Sequence, residues 1–154
     1  MTNWTTSWLR PVPADLVITD TDVWSCVVLN SRDRDPRVAR WRRLLLGKQV
    51  LISAQTEGEL RFGALICGWG AARREALEAQ LARTPTLPVS DRVIHAFATV
   101  RADCHRAGHQ LANKHHMGDA WVAATAIAHG IRLLSGDGIY KSVDGLLLVK
   151  DDDD

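Results

Sequence analysis

The sequence is poor in cysteine, proline and most aromatic residues. It has three cysteines, five prolines, two phenylalanines and one tyrosine among 154 residues. The cysteines are odd in number, widely spaced and never paired at the spacing of metal ligands, which excludes a disulfide scaffold and a cysteine-based zinc site. We interpret Cys26, Cys67 and Cys104 as small core residues of a protein in a reducing compartment.

Long hydrophobic runs are also missing. No stretch approaches the ~20 apolar residues of a membrane span, and the N-terminus lacks an apolar segment of signal-peptide length. The composition, 46% hydrophobic and 24% charged, is that of an ordinary globular protein and excludes disordered and collagen-like chains. We therefore expect one folded domain in the cytoplasm, without a membrane partner.

A large net charge is absent, since 19 Lys and Arg stand against 18 Asp and Glu. This balance hides two local clusters. The last four residues are all aspartate, and residues 32–48 carry seven Lys or Arg against two Asp. A basic patch on a near-neutral body indicates a polyanionic partner, although a solvated helix face explains the same pattern equally well.

Short apolar runs alternate with amphipathic segments along the chain. Strands are predicted at residues 16–19, 50–52, 84–89, 131–134 and 146–149, and the prolines of the third run make it a short edge strand. Helices are predicted from about Val23, over residues 35–46, from Ser53, and over residues 71–83, 90–106 and 118–129. This alternation predicts an α/β fold of three layers, with a mainly parallel central sheet of about five strands flanked by helices.

The predicted domain spans residues 16–150. Residues 1–15 combine tryptophans and prolines without a clear period, so we expect an irregular N-terminal leader. Residues 151–154 have nothing apolar to pack and are expected to form an acidic, disordered tail.

Acidic residues follow the predicted strands. Asp20 and Asp22 come directly after the first strand, Glu59 lies two turns into the helix after the second, and Asp137 lies just beyond the fourth. Asp119 opens the helix that leads into that fourth strand. Because parallel α/β sheets bind ligands beyond the carboxyl ends of their strands, we expect these acids to share one site.

Carboxylates gathered at one edge repel each other unless a cation or a proton neutralises them. Ligand sets made only of oxygen atoms favour Mg²⁺ or Mn²⁺ over zinc. Each acid also has a simpler explanation: Asp20, Asp22 and Asp119 can cap helices, Glu59 can be a surface residue, and Asp137 lies in an ordinary turn. Capping does not explain Glu59, so the joint placement favours a metal site.

Four segments carry the most informative motifs, namely residues 17–23 (VITDTDV), 52–63 (ISAQTEGELRFG), 118–126 (GDAWVAATA) and 133–137 (LLSGD). In this order and spacing the chain, from about residue 16 to 149, resembles the PIN-domain family and more narrowly its VapC-type ribonuclease toxins. The second and third segments are specific, whereas the first alone is weak. Asp22 stands where the family often has Asn, and Gly118 where a polar residue is common. Lys114, His115 and His116 are not part of the family motif.

The resemblance implies a three-layer PIN-like domain and a metal-dependent endoribonuclease. Carried over by position, the catalytic and metal-binding acids are Asp20, Glu59, Asp119 and Asp137, with Asp22 as an additional candidate ligand. The implied cofactor is Mg²⁺ or Mn²⁺, which would activate water to cut RNA, with tRNA or rRNA as the expected target, and leave 5′-phosphate and 3′-hydroxyl ends.

The resemblance also implies partners. VapC-type toxins usually form homodimers and are silenced by a cognate antitoxin protein that binds across the acidic groove, where Arg or Lys side chains would meet the acids. The arginine-rich helix would contact phosphates of the RNA substrate without reading its sequence, and we assign this role to Arg40 and Arg43.

Two alternatives remain open at this stage. Asp20-Thr-Asp22 after a strand and Gly136-Asp-Gly138 also resemble motifs of haloacid-dehalogenase-type phosphatases, in which Asp20 would attack phosphorus. That assignment leaves Glu59 and the Asp119 helix unexplained. The second alternative is a non-catalytic relative that binds RNA or protein through the same fold. The mutual repulsion of the acids argues against it, since a binding-only domain has no need of them.

Overall fold

The computed structural model describes residues 14–29 and 34–151. Nearly all of the predicted leader, including its tryptophans, lies outside these ranges, as do Arg32, Asp33 and the last three aspartates. The sheet contains β1 (Leu16–Thr19), β2 (Gln49–Ser53), β3 (Thr86–Leu87) and β4 (Arg132–Leu134). All pairings are parallel and the order is β3-β2-β1-β4, so β1 lies between β2 and β4.

Helices cover both faces of the sheet. They are α1 (Thr21–Trp24), which continues as a π-helical turn over Ser25–Leu29, α2 (Pro36–Leu44), α3 (Ala54–Ile66), α4 (Ala71–Leu81), α5 (Asp91–Ala107) and α6 (Met117–His129). Ile18, Leu51 and Leu133 pack against α5 and α6, whereas the opposite face of the sheet packs against α2, α3 and α4. The three-layer α/β architecture with a parallel sheet is therefore confirmed.

Strands β1, β2 and β4 each bury adjacent side chains on both faces of the sheet, which explains why their sequences are continuous apolar runs rather than alternating patterns. In β1, Val17 belongs to the cluster around α2, and its neighbour Ile18 to the cluster around α5 and α6. Both side chains are almost fully buried. This central strand carries Asp20 directly to the carboxyl edge of the sheet.

Local signals in the sequence set several helix ends. The hydroxyl oxygens of Ser53 and Ser90 accept hydrogen bonds from the amides of Thr56 at 3.1 Å and Val93 at 3.4 Å. The helices α5 and α6 end at Gly108 and Gly130, whose φ angles of 66° and 63° lie in the left-handed region that favours glycine.

Other boundaries differ from the prediction. The first helix begins at Thr21 rather than near Val23, because the Asp20 carboxylate caps it. The segment between the helices predicted at 90–106 and 118–129 contains two short 3₁₀ turns, Gln110–Ala112 and Lys114–His116. Residues 146–149 contribute one parallel bridge, from Leu148 to Leu133, instead of a full fifth strand.

The interpretation of all three cysteines as core residues is wrong for Cys67, which is exposed. Cys104 is buried and Cys26 is partly buried. Leu60 and Ala64 face the core, but Cys67 follows the last residue of α3, where the helix has ended. Within the described part of the chain, no helix combines the length and apolar composition needed to cross a membrane.

Candidate active site

The predicted acids line one cleft at the carboxyl edge of the sheet. This cleft has a volume of about 440 Å³, and its walls include Asp20, Asp22, Glu59, Asp119 and Asp137. They come from the end of β1, from α1, α3 and α6, and from the turn after β4. The structure therefore brings together every acid that the sequence analysis selected.

Asp20 is the most deeply placed of these acids, with 9% of its surface exposed. One carboxylate oxygen accepts a hydrogen bond from the Val23 amide at 3.0 Å, and the other accepts one from the Ser135 hydroxyl. Burial raises the pKa of Asp20, and the charges of Asp22 and Asp119 act in the same direction, while the two hydrogen bonds oppose the rise. The ionised Asp20 thus lies in a site that disfavours its charge.

Glu59 reaches the cleft from the middle of α3. Its Oε1 accepts a hydrogen bond from Gln55 Nε2 at 2.9 Å, and its Oε2 accepts one from the Thr21 hydroxyl. The start of α6 comes close to the same carboxylate. A methyl group added at Gly118 would lie 2.9 Å from Glu59 Oε1, so glycine permits this close approach.

Asp119 lies in the first turn of α6, where the helix dipole favours a negative charge. Nδ1 of His116 lies 2.9 Å from its Oδ2, and the Tyr140 hydroxyl donates to its Oδ1 at 3.2 Å. An ionised carboxylate only accepts hydrogen bonds, so His116 presents an N–H to it. Burial, followed by the charges of Asp119 and Asp20, raises the pKa of Tyr140, whose phenol stays protonated as a donor.

Asp137 and Asp22 form the outer part of the cleft. Asp137 is exposed and caps a 3₁₀ turn over Gly138–Tyr140, because its Oδ1 accepts from the Ile139 amide at 2.9 Å. Its own amide donates to the Ser135 hydroxyl oxygen at 3.0 Å, so Ser135 connects Asp137 to Asp20. Asp22 is exposed on α1, with the thiol of Cys26 3.8 Å from its Oδ1.

One basic residue also borders the cleft. Arg37 lines it, but its guanidinium pairs with Asp35, with 2.6 Å between Nη2 and Oδ2, and its Cζ lies 5.1 Å from the centre of the Trp41 ring. The predicted RNA-binding residues Arg40 and Arg43 do not line the cleft and lie further along α2. The guanidinium group that borders the acids is therefore already paired with a carboxylate.

Sequence reasoning missed several side chains that hold the acids in place. Thr21 and Ser135 are neighbours of the predicted acids within the motifs quoted above, which could have suggested them. Tyr140 lies three residues beyond Asp137, and its contact with Asp119 depends on how the last turn packs against α6. No sequence signal marks this pairing.

The donor atoms of the cleft are of the kind that Mg²⁺ or Mn²⁺ requires. Its donors are carboxylate oxygens, which these ions prefer, and the like charges around Asp20 are of the kind that a cation relieves. Among residues 14–29 and 34–151, no three Asp, Glu, His or Cys side chains converge closely enough, as they lie, to form a complete ligand set. The residues fit such an ion by donor type and by their shared cleft, while both oxygens of Asp20, Glu59 and Asp119 are in contact with hydrogen-bonding groups of the protein.

Comparison with known proteins identifies the family of this chain. Residues 17–146 match the PIN domain. The chain belongs to the PIN-domain family. The predicted resemblance is thereby confirmed, and this PIN domain includes every acid of the cleft. Membership in the family, together with Glu59 and Asp119 in the same cleft as Asp20, argues against the haloacid-dehalogenase alternative.

Two similar curated proteins come from Mycobacterium tuberculosis. Ribonuclease VapC4 is 36% identical over 94 residues, which cover 60% of this chain and 69% of that protein. Ribonuclease VapC8 is 42% identical over 83 residues, which cover 53% of this chain and 72% of that protein. Among solved structures, VapBC2 from Rickettsia felis bound to a promoter DNA fragment matches with a TM-score of 0.70 at 18% identity, over 86% of this chain and 96% of that one. This last likeness shows a shared fold.

Proposed function

We propose that this PIN domain is a Mg²⁺- or Mn²⁺-dependent endoribonuclease and the toxin of a toxin–antitoxin pair. The observation that carries the proposal is the convergence of five acids from separate elements on one cleft. Its two curated relatives from M. tuberculosis are named ribonucleases of the VapC group, which supports the same chemistry.

The proposed metal ligands and catalytic residues share the cleft and its carboxylate chemistry; they are Asp20, Glu59, Asp119 and Asp137, with Asp22 as an additional candidate. When bound, Mg²⁺ or Mn²⁺ supplies Lewis acidity, which polarises a phosphate oxygen and lowers the pKa of water. The protein orients the acids for this purpose. The expected products carry 5′-phosphate and 3′-hydroxyl ends.

The neighbouring polar residues act on the acids. The hydroxyls of Thr21 and Ser135 donate to Glu59 and Asp20, so they orient carboxylates and are not free to attack phosphorus. Tyr140 holds one oxygen of Asp119 and stays protonated while it does so. No covalent intermediate is therefore required.

RNA is the proposed substrate, and tRNA or rRNA is its expected class. Arg40 and Arg43 follow Arg37 along α2, so their charges extend from the rim of the cleft. They would bind phosphates without reading the base sequence, and this contribution would weaken as salt concentration rises.

The proposed protein partners are a cognate antitoxin and a second copy of the chain. A cleft of carboxylates suits the Arg or Lys side chains of an antitoxin. The end of α3 exposes a group of large apolar side chains suited to a protein interface, with exposures of 63% for Phe62, 72% for Leu65 and 69% for Ile66.

The first experiment is cleavage of total cellular RNA by the purified chain with Mg²⁺ or Mn²⁺, beside a chelator. The test variant is Asp119→Asn, which keeps an acceptor for the Tyr140 hydroxyl but removes the charge. The matched control is Asp103→Asn, because Asp103 is an aspartate of α5 that pairs with Arg106 at 2.8 Å outside the cleft. Wild type and the control should cut with metal, and Asp119→Asn should not.

Two outcomes would contradict the proposal. Cleavage that persists in Asp119→Asn or in chelator would not come from the carboxylate site. RNA that is bound but left intact by the wild type with metal would instead support the non-catalytic relative. Sequencing of the product ends checks the expected 5′-phosphate.

A further inference from the structure

Asp151 contacts two arginines that the proposed function assigns to RNA. Its Oδ2 accepts hydrogen bonds from Arg40 Nε at 2.7 Å and from Arg43 Nη2 at 3.3 Å. The side chain of Asp151 is 14% exposed, whereas those of Arg40 and Arg43 are 49% and 62% exposed. One carboxylate oxygen at the C-terminal end is thus held between two guanidinium groups of α2.

The same part of α2 borders a groove next to the acidic cleft. The groove has a volume of about 540 Å³, and its charged lining residues are four cations and one acid: Arg37, Arg40, Lys141, Lys150 and Asp137. Arg37 and residues 136–138 line both the groove and the cleft. An anionic chain in the groove would therefore lead directly to the carboxylates.

Carboxylate and phosphate oxygens bind guanidinium groups in the same way, by accepting charge-assisted hydrogen bonds. An oxygen bound by both Arg40 and Arg43 marks a position where a phosphate oxygen fits. The groove is basic and shares lining residues with the acidic cleft, which suits a polyanion that reaches from one to the other.

We propose that Arg40 and Arg43 form a phosphate-binding clamp for the RNA strand entering the cleft, and that Asp151 occupies this clamp until RNA displaces it. The inference rests on the proposed function for the identity of the polyanion. Asp151 thereby competes with the substrate from within the same chain, and it sets a threshold for RNA binding.

The contact is weak enough for RNA to displace it. Exposed ion pairs are individually weak, so the occupied clamp should be favoured by only about fivefold over the open one. Because RNA binds only the open clamp, this preference lowers its apparent affinity by about sixfold. Salt weakens the internal pair as well, so the difference should shrink as ionic strength rises.

The test is binding of a fluorescently labelled single-stranded RNA of mixed sequence, measured by anisotropy in chelator so that no cleavage occurs. At low salt, Asp151→Asn should bind about sixfold more tightly than wild type, by the occupancy argument above. The control Asp103→Asn changes the net charge equally at another arginine-paired aspartate and should stay within about twofold of wild type. Replacing all four C-terminal aspartates with asparagine prevents a neighbour from substituting for Asp151 and should increase the gain.

A variant without the two arginines tests whether the tighter RNA binding arises at the clamp. In an Arg40→Gln, Arg43→Gln double variant, Asp151→Asn should no longer tighten RNA binding. The proposal is overturned if Asp151→Asn gains no more than Asp103→Asn, if the gain survives without the two arginines, or if no variant binds RNA. Thermal unfolding of each variant confirms that the fold is retained.

These outcomes separate the clamp from the nuclease. Tighter binding by Asp151→Asn together with intact RNA in the metal assay would support the clamp and reject the endoribonuclease. Metal-dependent cleavage without any effect of Asp151→Asn would reject the clamp and leave the endoribonuclease standing.

Discussion

Substitution of Gly118 by alanine tests whether the position of Glu59 matters for cleavage. The added methyl group would lie 2.9 Å from Glu59 Oε1 and 3.0 Å from Gln55 Nε2. The first contact is shorter than real methyl groups make and the second is tighter than most, but both atoms belong to the ends of flexible side chains. The expected response is therefore a displacement of the Glu59 carboxylate by a few tenths of an ångström, with little movement of the backbone.

Gly118→Ala should change the stability little and the rate of cleavage strongly. Alanine is favoured over glycine in a helix by up to ~1 kcal/mol, and this gain offsets the cost of moving two side-chain ends. The free energy of unfolding should thus change by no more than about 1 kcal/mol in either direction. Cleavage should fall between about tenfold and a hundredfold, because small misplacements of catalytic groups have effects of this size.

The matched control is Gly63→Ala in α3, where an added methyl group meets no atom within 4 Å. It should stabilise the helix by up to ~1 kcal/mol and leave cleavage unchanged. Urea unfolding and initial cleavage rates with Mn²⁺ measure both quantities for each variant. Cleavage by Gly118→Ala at the wild-type rate would refute the reasoning. A loss of stability much greater than about 1 kcal/mol would also refute it, because it would show that the Glu59 side chain cannot move aside.

Two further predictions concern stability and assembly. Asp20→Asn should raise the free energy of unfolding at neutral pH but not in acid. Burial raises the pKa of Asp20, so the folded protein favours the protonated carboxyl group. The stability that this group contributes is complete below its ordinary pKa and is lost as pH rises through the raised value. Urea unfolding in chelator at about pH 3 and about pH 7 checks this, and an equal effect at both pH values would contradict it. Leu65→Glu, at a side chain that is 72% exposed, should keep the thermal stability and convert the proposed homodimer to a monomer in light scattering. A wild type that is already monomeric would reject the dimer.

The parts of the fold that depend on local chemistry were predictable. The β1 run is apolar because both of its faces are buried, and it ends at Asp20 because the chain there reaches the open edge of the sheet. Ser53 and Gly130 mark helix ends through hydrogen bonding and backbone conformation that depend on single residues. The acids of the cleft were found because parallel strands end at the same edge.

The parts that depend on packing between distant elements were not predictable. Thr21 and Glu59 are 38 residues apart, and their hydrogen bond requires the orientation of α3 against the start of α1. The apolar run at 146–149 predicts a strand, yet Leu147 remains 45% exposed and the run forms a single β-bridge, from Leu148 to Leu133. Cys67 was expected in the core, as unpaired cysteines usually are, but α3 ends one residue before it and the side chain is exposed.

The order of the strands has a consequence for the synthesis of this protein. Strand β1 leaves the ribosome long before β4, with which it forms its second set of pairings. Until β4 and the turn after it emerge, Asp20 lacks the Ser135 hydroxyl and the cleft lacks Asp137. A nascent chain therefore carries no assembled carboxylate site beside the RNA of the ribosome that is translating it. If the proposed function holds, the translating ribosome is exposed to this nuclease only after β4 and the turn that follows it have been made.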